Sequence, residues 1–219
     1  YDTEPPSKAL ISGQNTFNVT PIAALSSWSV TAVDLSSPTV YTGILSSEAR
    51  IWPAVPYYLR IVQHWQDENM NDQYDIGEAT YAIAGSALKI RLNAYDQYGN
   101  LCSTGPNTYT AIVQFNAETS ETNPEFKVIQ NPTPYPGSVE SNFTFSTTDA
   151  GTKVIPITLR KSGSRWIKFF QITDTNISTE RPGGEKGSHP AIISKVDVKP
   201  GPLQKIAFLS PSPAKDPTY

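Results

Sequence analysis

Apolar residues recur at every second position along this chain. Leu88, Ile90, Leu92 and Ala94 alternate with Lys89, Arg91, Asn93 and Tyr95. Successive side chains of an extended strand point to opposite faces, so this run describes a strand with one buried and one wet face. Trp28, Val30 and Ala32 alternate in the same way with Ser29, Thr31 and Val33, and Thr110 to Phe115 continues the pattern. Tyr57 to Gln63, Asn142 to Ser146, Val154 to Leu159, Trp166 to Thr173 and Ile192 to Val198 complete a set of seven or eight strands. Few stretches keep a helical period. Gln97-Tyr98-Gly99-Asn100 and Asp149-Ala150-Gly151-Thr152 read as tight turns, with glycine free to take positive φ. Pro132 to Gly137 reads as an extended loop and Arg181 to Gly187 as a flexible one. Many short strands with such punctuation predict an all-β chain folded as a β-sandwich.

The two ends of the chain resemble each other. Thr16 to Thr20, Trp28 to Asp34 and Trp52-Pro53 followed by Tyr58 to Val62 are echoed by Val154 to Thr158, Trp166 to Asp174 and Lys199-Pro200 followed by Lys205 to Leu209. A repeat of about 150 residues, cut out of phase, predicts a tandem array of similar sandwiches, one complete and one partial. Residues 1–55 correspond to the second half of a sandwich. Residues 56–200 form a complete one with an acidic insertion at 63–85. Residues 201–219 supply the first strand of a following domain, or a donated strand around Leu203 to Leu209, and then a Pro-rich tail. The prolines at both junctions restrict the angle between neighbours.

Composition narrows the function. The chain has 219 residues and a net charge of −3, so it carries no basic footprint for nucleic acid. No apolar run reaches a membrane-spanning length. A single cysteine, Cys102, excludes an internal disulfide, and a bacterial or archaeal surface protein often does without one. A polar, Pro-containing start at Tyr1-Asp2 with no signal peptide reads as a mature or excised piece.

Several segments in fixed order carry a family resemblance: Ala94 to Asn100, Phe143-Thr144-Phe145, Asp149 to Thr152, Ile157-Thr158-Leu159 with Ser162-Gly163, Ile172-Thr173-Asp174 and Val198 to Pro202. Together they resemble bacterial immunoglobulin-like repeats of the invasin and filamin type, over about 110 residues. The resemblance implies a sandwich of seven or more strands with a structural or adhesive role and no catalytic residues. The chain departs from that pattern in two places. The segment from Gln63 to Gly85 is longer than such repeats carry, and residues 1–53 lack an Asp-x-x-Gly-Asn turn.

The insertion holds the candidate metal site. Asp67, Asn69, Asn71, Gln73, Asp75 and Glu78 occupy positions 1, 3, 5, 7, 9 and 12 of a twelve-residue window, the ligand spacing of a calcium loop. Asp72 stands at the sixth position, where a glycine is expected, and the bland reading is a solvated acidic loop. Asn18, Asn142 and Asn176 each begin an Asn-x-Ser/Thr acceptor pattern for N-glycosylation. Asp96, Asp149 and Asp174 lie beside turns and are expected to bond local backbone N–H groups. Trp28 and Trp166 are expected as core anchors, and Trp52 and Trp65 as interfacial residues or platforms for a surface glycan.

Nothing marks an enzyme. His64 and His189 are the only histidines and stand far apart in the chain, and Cys102 has no CxxC partner. The expected function is therefore a structural or adhesive protein of the cell surface: a segment or subunit of an array, surface layer or filament. Its partners would be neighbouring immunoglobulin-like domains or identical subunits joined head to tail. The alternative is a carbohydrate-binding or accessory module of a larger secreted enzyme. Two arrangements would complete the half-domain: a longer polypeptide of which this is a fragment, or a subunit receiving a donated strand.

Overall fold

Leu88, Ile90, Leu92 and Ala94 are fully buried, while Lys89, Arg91, Asn93 and Tyr95 between them stay half-buried. The alternation in the sequence thus becomes the inner and outer face of a central strand. The computed structural model describes residues 5–12, 14–33, 47–118, 142–159, 162–179 and 194–203. Its strands are β1 (Leu25–Trp28), β2 (Ala49–Ile51), β3 (Pro56–Trp65), β4 (Ala82–Ile83), β5 (Ala87–Asp96), β6 (Ile112–Glu118), β7 (Asn142–Thr144), β8 (Thr152–Thr158), β9 (Gly163–Gln171) and β10 (Ser194–Lys199). The helical elements among the described residues are two 3₁₀ turns, Gly105–Asn107 and Thr147–Asp149. The chain is all-β, and among the described residues no helix is long and apolar enough to cross a membrane.

A three-stranded sheet in the order β3-β5-β8 faces a five-stranded sheet in the order β4-β10-β9-β6-β7. The ladders are antiparallel, except that β4 runs parallel to β10. One apolar cluster joins the sheets: Leu59, Ile61, Leu88, Ile90, Leu92, Ile155 and Ile157 from the first meet Val113, Ile167, Phe169, Val196 and Val198 from the second. Burying a side chain of this size contributes about 1.5–3 kcal/mol, so the cluster is the main source of stability. Tyr109 and Phe145 close it edge to face, with ring centroids 5.0 Å apart. The chain changes sheet between β3 and β4, and the acidic loop 67–78 occupies that crossing.

The register sets two ends. At the leading end, Pro56 faces Asp96, so the start of β3 lies beside the turn that follows β5. At the trailing end, Trp65 faces Lys89, Lys199 faces Ile83 and Gly163 faces Val198. The sides of the three-stranded sheet are closed differently. The Leu59 N–H on the outer side of β3 donates to the Ser178 carbonyl at 3.1 Å. Just before β8, the Gly151 carbonyl accepts the Ala94 N–H at 2.9 Å, which fixes the parity of the ladder and leaves Pro156 with its backbone turned away from β5. Proline has no N–H to offer there.

Residues before Pro53 form a smaller unit. β1 and β2 pair antiparallel, with Leu25 facing Ile51 and Trp28 facing Ala49. None of the described residues from 5 to 52 is buried. Trp28, expected as a core anchor, is only half-buried, because no second sheet covers its face among the described residues. The strand also ends at Trp28, ahead of the alternation that runs on to Val33. Trp166 lies in β9 as expected, but its side chain lies outside what is described. The loops at Pro132–Gly137 and Arg181–Gly187, His189 and the candidate donated strand beyond Leu203 lie outside the described residues.

Candidate functional site

The Asp96–Asn100 turn holds the junction. Asp96 is fully buried, and its carboxylate accepts four hydrogen bonds. The N–H groups of Tyr98 and Asn100 bond Oδ1 at 2.9 and 2.8 Å, which is the local role expected of an aspartate at a turn. The other two bonds reach further. The Ala54 N–H donates to Oδ2 at 2.8 Å, and so does Asn100 Nδ2. Gly99 takes φ 86°, the left-handed conformation the turn needs.

Asn100 then clasps the preceding unit. Its Nδ2 donates to the Ile22 carbonyl at 2.7 Å, and its Oδ1 accepts the Ala24 N–H at 3.0 Å. Asn107 Nδ2 adds a bond to the Pro53 carbonyl at 2.9 Å. Trp52 lies against Gly105, where a Cβ would stand 2.4 Å from the indole. The Arg50 guanidinium stacks over the same indole at 3.9 Å. Trp52 is therefore interfacial, as expected, and it remains 39% exposed. Trp65, expected as an interface or sugar platform, is instead fully buried, with Tyr74 of the acidic loop packed edge-on at 6.4 Å. The physical reason is that the loop folds back over the end of β3 and covers it.

The acidic loop is internally organised. Asp67 accepts the N–H groups of Asn71 and Asp72 at 3.0 and 3.1 Å. Asn69 and Asn71 accept from Asn71 and Gln73 at 3.2 and 2.8 Å. Glu78 accepts from Glu68 and Asp75 at 3.1 and 2.8 Å. Lys89 pairs with Asp72 and lies 3.6 Å from Asp67. The glycine missing at the sixth position is not needed, because Asp72 itself takes φ 59° and Met70 takes φ 61°. Aspartate is among the non-glycine residues most tolerant of that region.

The donor set suits a hard oxygen-seeking cation: three carboxylates with three amide or carbonyl oxygens. Its present arrangement is self-satisfied. Asn69 and Asn71 turn their NH₂ groups to Asp75 Oδ2 at 2.6 and 2.9 Å, so uptake of an ion requires both amides to turn. Among the described residues, no three His, Cys, Asp or Glu side chains are already gathered as metal ligands.

The remaining candidates are dispersed. Asn18, Asn142 and Asn176 are exposed; Asn142 lies in β7, and Asn176 donates through both N and Nδ2 to Asp174 at 3.1 Å. Asp149 closes a capping box with Ser146 and pairs with Lys153 at 3.0 Å. Burial works to raise the Asp149 pKa, but the bonds from Ser146 and Lys153 outweigh it and hold the carboxyl below its ordinary value. His64 is half-buried and held below its ordinary pKa by burial, against a backbone bond with Thr80. The Cys102 thiol is fully buried and pushed up to about 12, by burial first and the Asp96 charge second.

No family model matches this chain, and no curated protein matches it at a significant level. Sequence reasoning assigned Asp96 its turn but missed the clasp by Asn100, Asn107 and Gly105. The Asp-x-x-Gly-Asn pattern was the available signal, while the partners at Ile22 and Ala24 lie 76 to 78 residues away in the chain.

Proposed function

We propose that this chain is a segment or subunit of an extracellular structural or adhesive array built from immunoglobulin-like sandwiches. The observation that carries this reading is the seated junction, in which Asp96, Asn100 and Asn107 hold two backbone groups of the preceding unit and two of the Pro53-Ala54 link that follows it. A free linker would leave such groups to water. Here they are fixed, together with a Trp52–Gly105 contact, so force and orientation pass from one unit to the next. The two-sheet topology, with its short parallel β4–β10 pair, supports the immunoglobulin-like assignment. Small-angle scattering of the purified chain tests it. One fixed angle between the β1–β2 unit and the sandwich is expected, broadening in Asn100→Ala. An equally broad distribution in both proteins would sink the reading.

In the same reading the 67–78 loop takes up calcium, with Asp67, Asp75 and Glu78 as its charged ligands and Asn69, Asn71 and Gln73 completing the set. The ion would cross-link the crossing between β3 and β4. Millimolar calcium should raise the melting temperature by a few degrees, as expected for about 1 kcal/mol in a domain of this size. Glu78→Gln should remove the rise. An unchanged melting curve with calcium and with chelator would leave the loop as a self-closed acidic cap.

A further inference from the structure

The β1–β2 ladder and the β9–β10 ladder open on equivalent pairs, although β1–β2 then shifts by one residue, with Trp28 facing Ala49 where Trp166 faces Lys195. In the first, Leu25 faces Ile51; Ala24 precedes the pair by one residue, and Pro53 and Ala54 follow it by two and three. In the second, Gly163 faces Val198; Ser162 precedes the pair by one, and Pro200 and Gly201 follow it by two and three. Both ladders are antiparallel, and both place a tryptophan three residues along the first strand, at Trp28 and Trp166.

This matters because Ala24, Pro53 and Ala54 are residues that the turn region clasps. Asn100 Oδ1 takes the Ala24 N–H, Asn107 Nδ2 gives to the Pro53 carbonyl, and Asp96 Oδ2 takes the Ala54 N–H. Their counterparts at the trailing end are the Ser162 N–H, the Pro200 carbonyl and the Gly201 N–H. Among the described residues, none of these three groups makes a hydrogen bond. Ser162 is exposed and Gly201 half-buried. Gly201 is also held close to the sandwich: a Cβ there would stand 2.5 Å from the Ala84 carbonyl oxygen. Among the described residues the site is thus a fixed piece of bare backbone at the end of the β9–β10 ladder.

We infer that the trailing end is a docking surface for a second sandwich that carries an Asp-x-x-Gly-Asn turn, with Ser162, Pro200 and Gly201 as its three contact points. The partner's aspartate accepts from Gly201, its turn asparagine accepts from Ser162, and an asparagine one 3₁₀ turn further on donates to Pro200. The surface is polar and small, so it orients a neighbour more than it binds one, and it works where the neighbour is already tethered at high effective concentration. This inference rests on the tandem reading above and adds to it a partner chemistry and a set of atoms.

The test replaces residues 202–219 with a neighbouring sandwich. Residues 1–201 are followed by a second copy of residues 55–203, whose turn then has the first copy's trailing end as its receptor. Amide hydrogen exchange is read at Ser162 and Gly201 of the first copy. Both amides should slow by about tenfold or more relative to the unextended chain, and Asp96→Ala in the second copy should restore fast exchange at Gly201. A second copy with a protected β5 ladder and no slowing at either amide overturns the inference, while a fixed angle at the first junction leaves the array reading standing. A second measurement covers failure of the added copy to fold. In the unextended chain, Trp52→Lys, Ala54→Gly and Val55→Pro together put the trailing sequence Lys-Pro-Gly-Pro against the existing turn. The amide at position 54 should keep its protection, and loss of that protection overturns the inference equally.

Discussion

Asp96→Asn separates the two tasks of one carboxylate. The substitution keeps an oxygen at the Oδ1 position, so the Tyr98 and Asn100 N–H groups retain their acceptor and the turn survives. At the Oδ2 position it places an NH₂ group against two donors, the Ala54 N–H and Asn100 Nδ2, both at 2.8 Å. Each hydrogen bond to a charged acceptor is worth about 1.5–3 kcal/mol, and water recovers part of that at a half-buried junction. The net loss should be about 2–3 kcal/mol, confined to the junction. Asp96→Ala loses all four bonds and should cost about 4 kcal/mol, spread over turn and junction. Urea unfolding gives the totals, and amide exchange gives the location. In Asp96→Asn the Ala54 amide should exchange about 30-fold faster, the equivalent of roughly 2 kcal/mol, while the β5 ladder is unchanged. A double-mutant cycle with Asn100→Ala should show coupling, because the two side chains share a bond. Unchanged exchange at Ala54, with equal stability losses for the two Asp96 variants, would refute the division of labour.

Gly105→Ala should destabilise by about 1–3 kcal/mol and shift tryptophan fluorescence, because the new Cβ would meet Trp52 at 2.4 Å on a backbone at φ 79°. Gly99→Ala serves as its comparison: its nearest contact is the Tyr58 hydroxyl at 3.9 Å, so only about 1 kcal/mol of backbone strain is expected, and equal losses would discount the indole contact. Asp149 has a folded pKa below its ordinary 3.8, so its contribution is complete above that value and is lost as pH falls through the folded one; acid titration of Asp149→Asn should show a shallower loss of stability below pH 3.8, and an unchanged slope would count against the Ser146 and Lys153 bonds. Cys102, with its thiol pushed up to about 12, should resist alkylation at pH 8 until the protein unfolds; rapid labelling of the native chain would show that the burial is not maintained.

The strands of the sandwich were legible because each carries its own signal. Leu88 to Tyr95 shows inside and outside in the residues themselves; β3 contains the run expected of it, and β8 and β9 match theirs to within three residues at each end. The parallel pairing of β4 was not legible, since Ala82–Ile83 is too short to show a period. Trp65 was misplaced for a different reason. Its burial comes from Tyr74 and the loop that returns over it, a tertiary event with no local pattern. The junction was half legible: the Asp-x-x-Gly-Asn spacing announced a turn, but nothing in five residues says that Asn100 will reach Ile22 and Ala24.

Pro156 bears on how the proposed array would keep its sandwiches apart. An exposed strand edge is a template for any similar strand, and covalently joined, similar sandwiches meet one another far more often than free proteins do. β8 has its backbone at Val154, Pro156 and Thr158 turned away from β5, and the middle position cannot donate. That single ring interrupts the ladder a neighbour would need in order to zip on sideways. In the proposed array, it would disfavour strand exchange between adjacent domains during synthesis or after a mechanical unfolding event, and so favour each one refolding on itself.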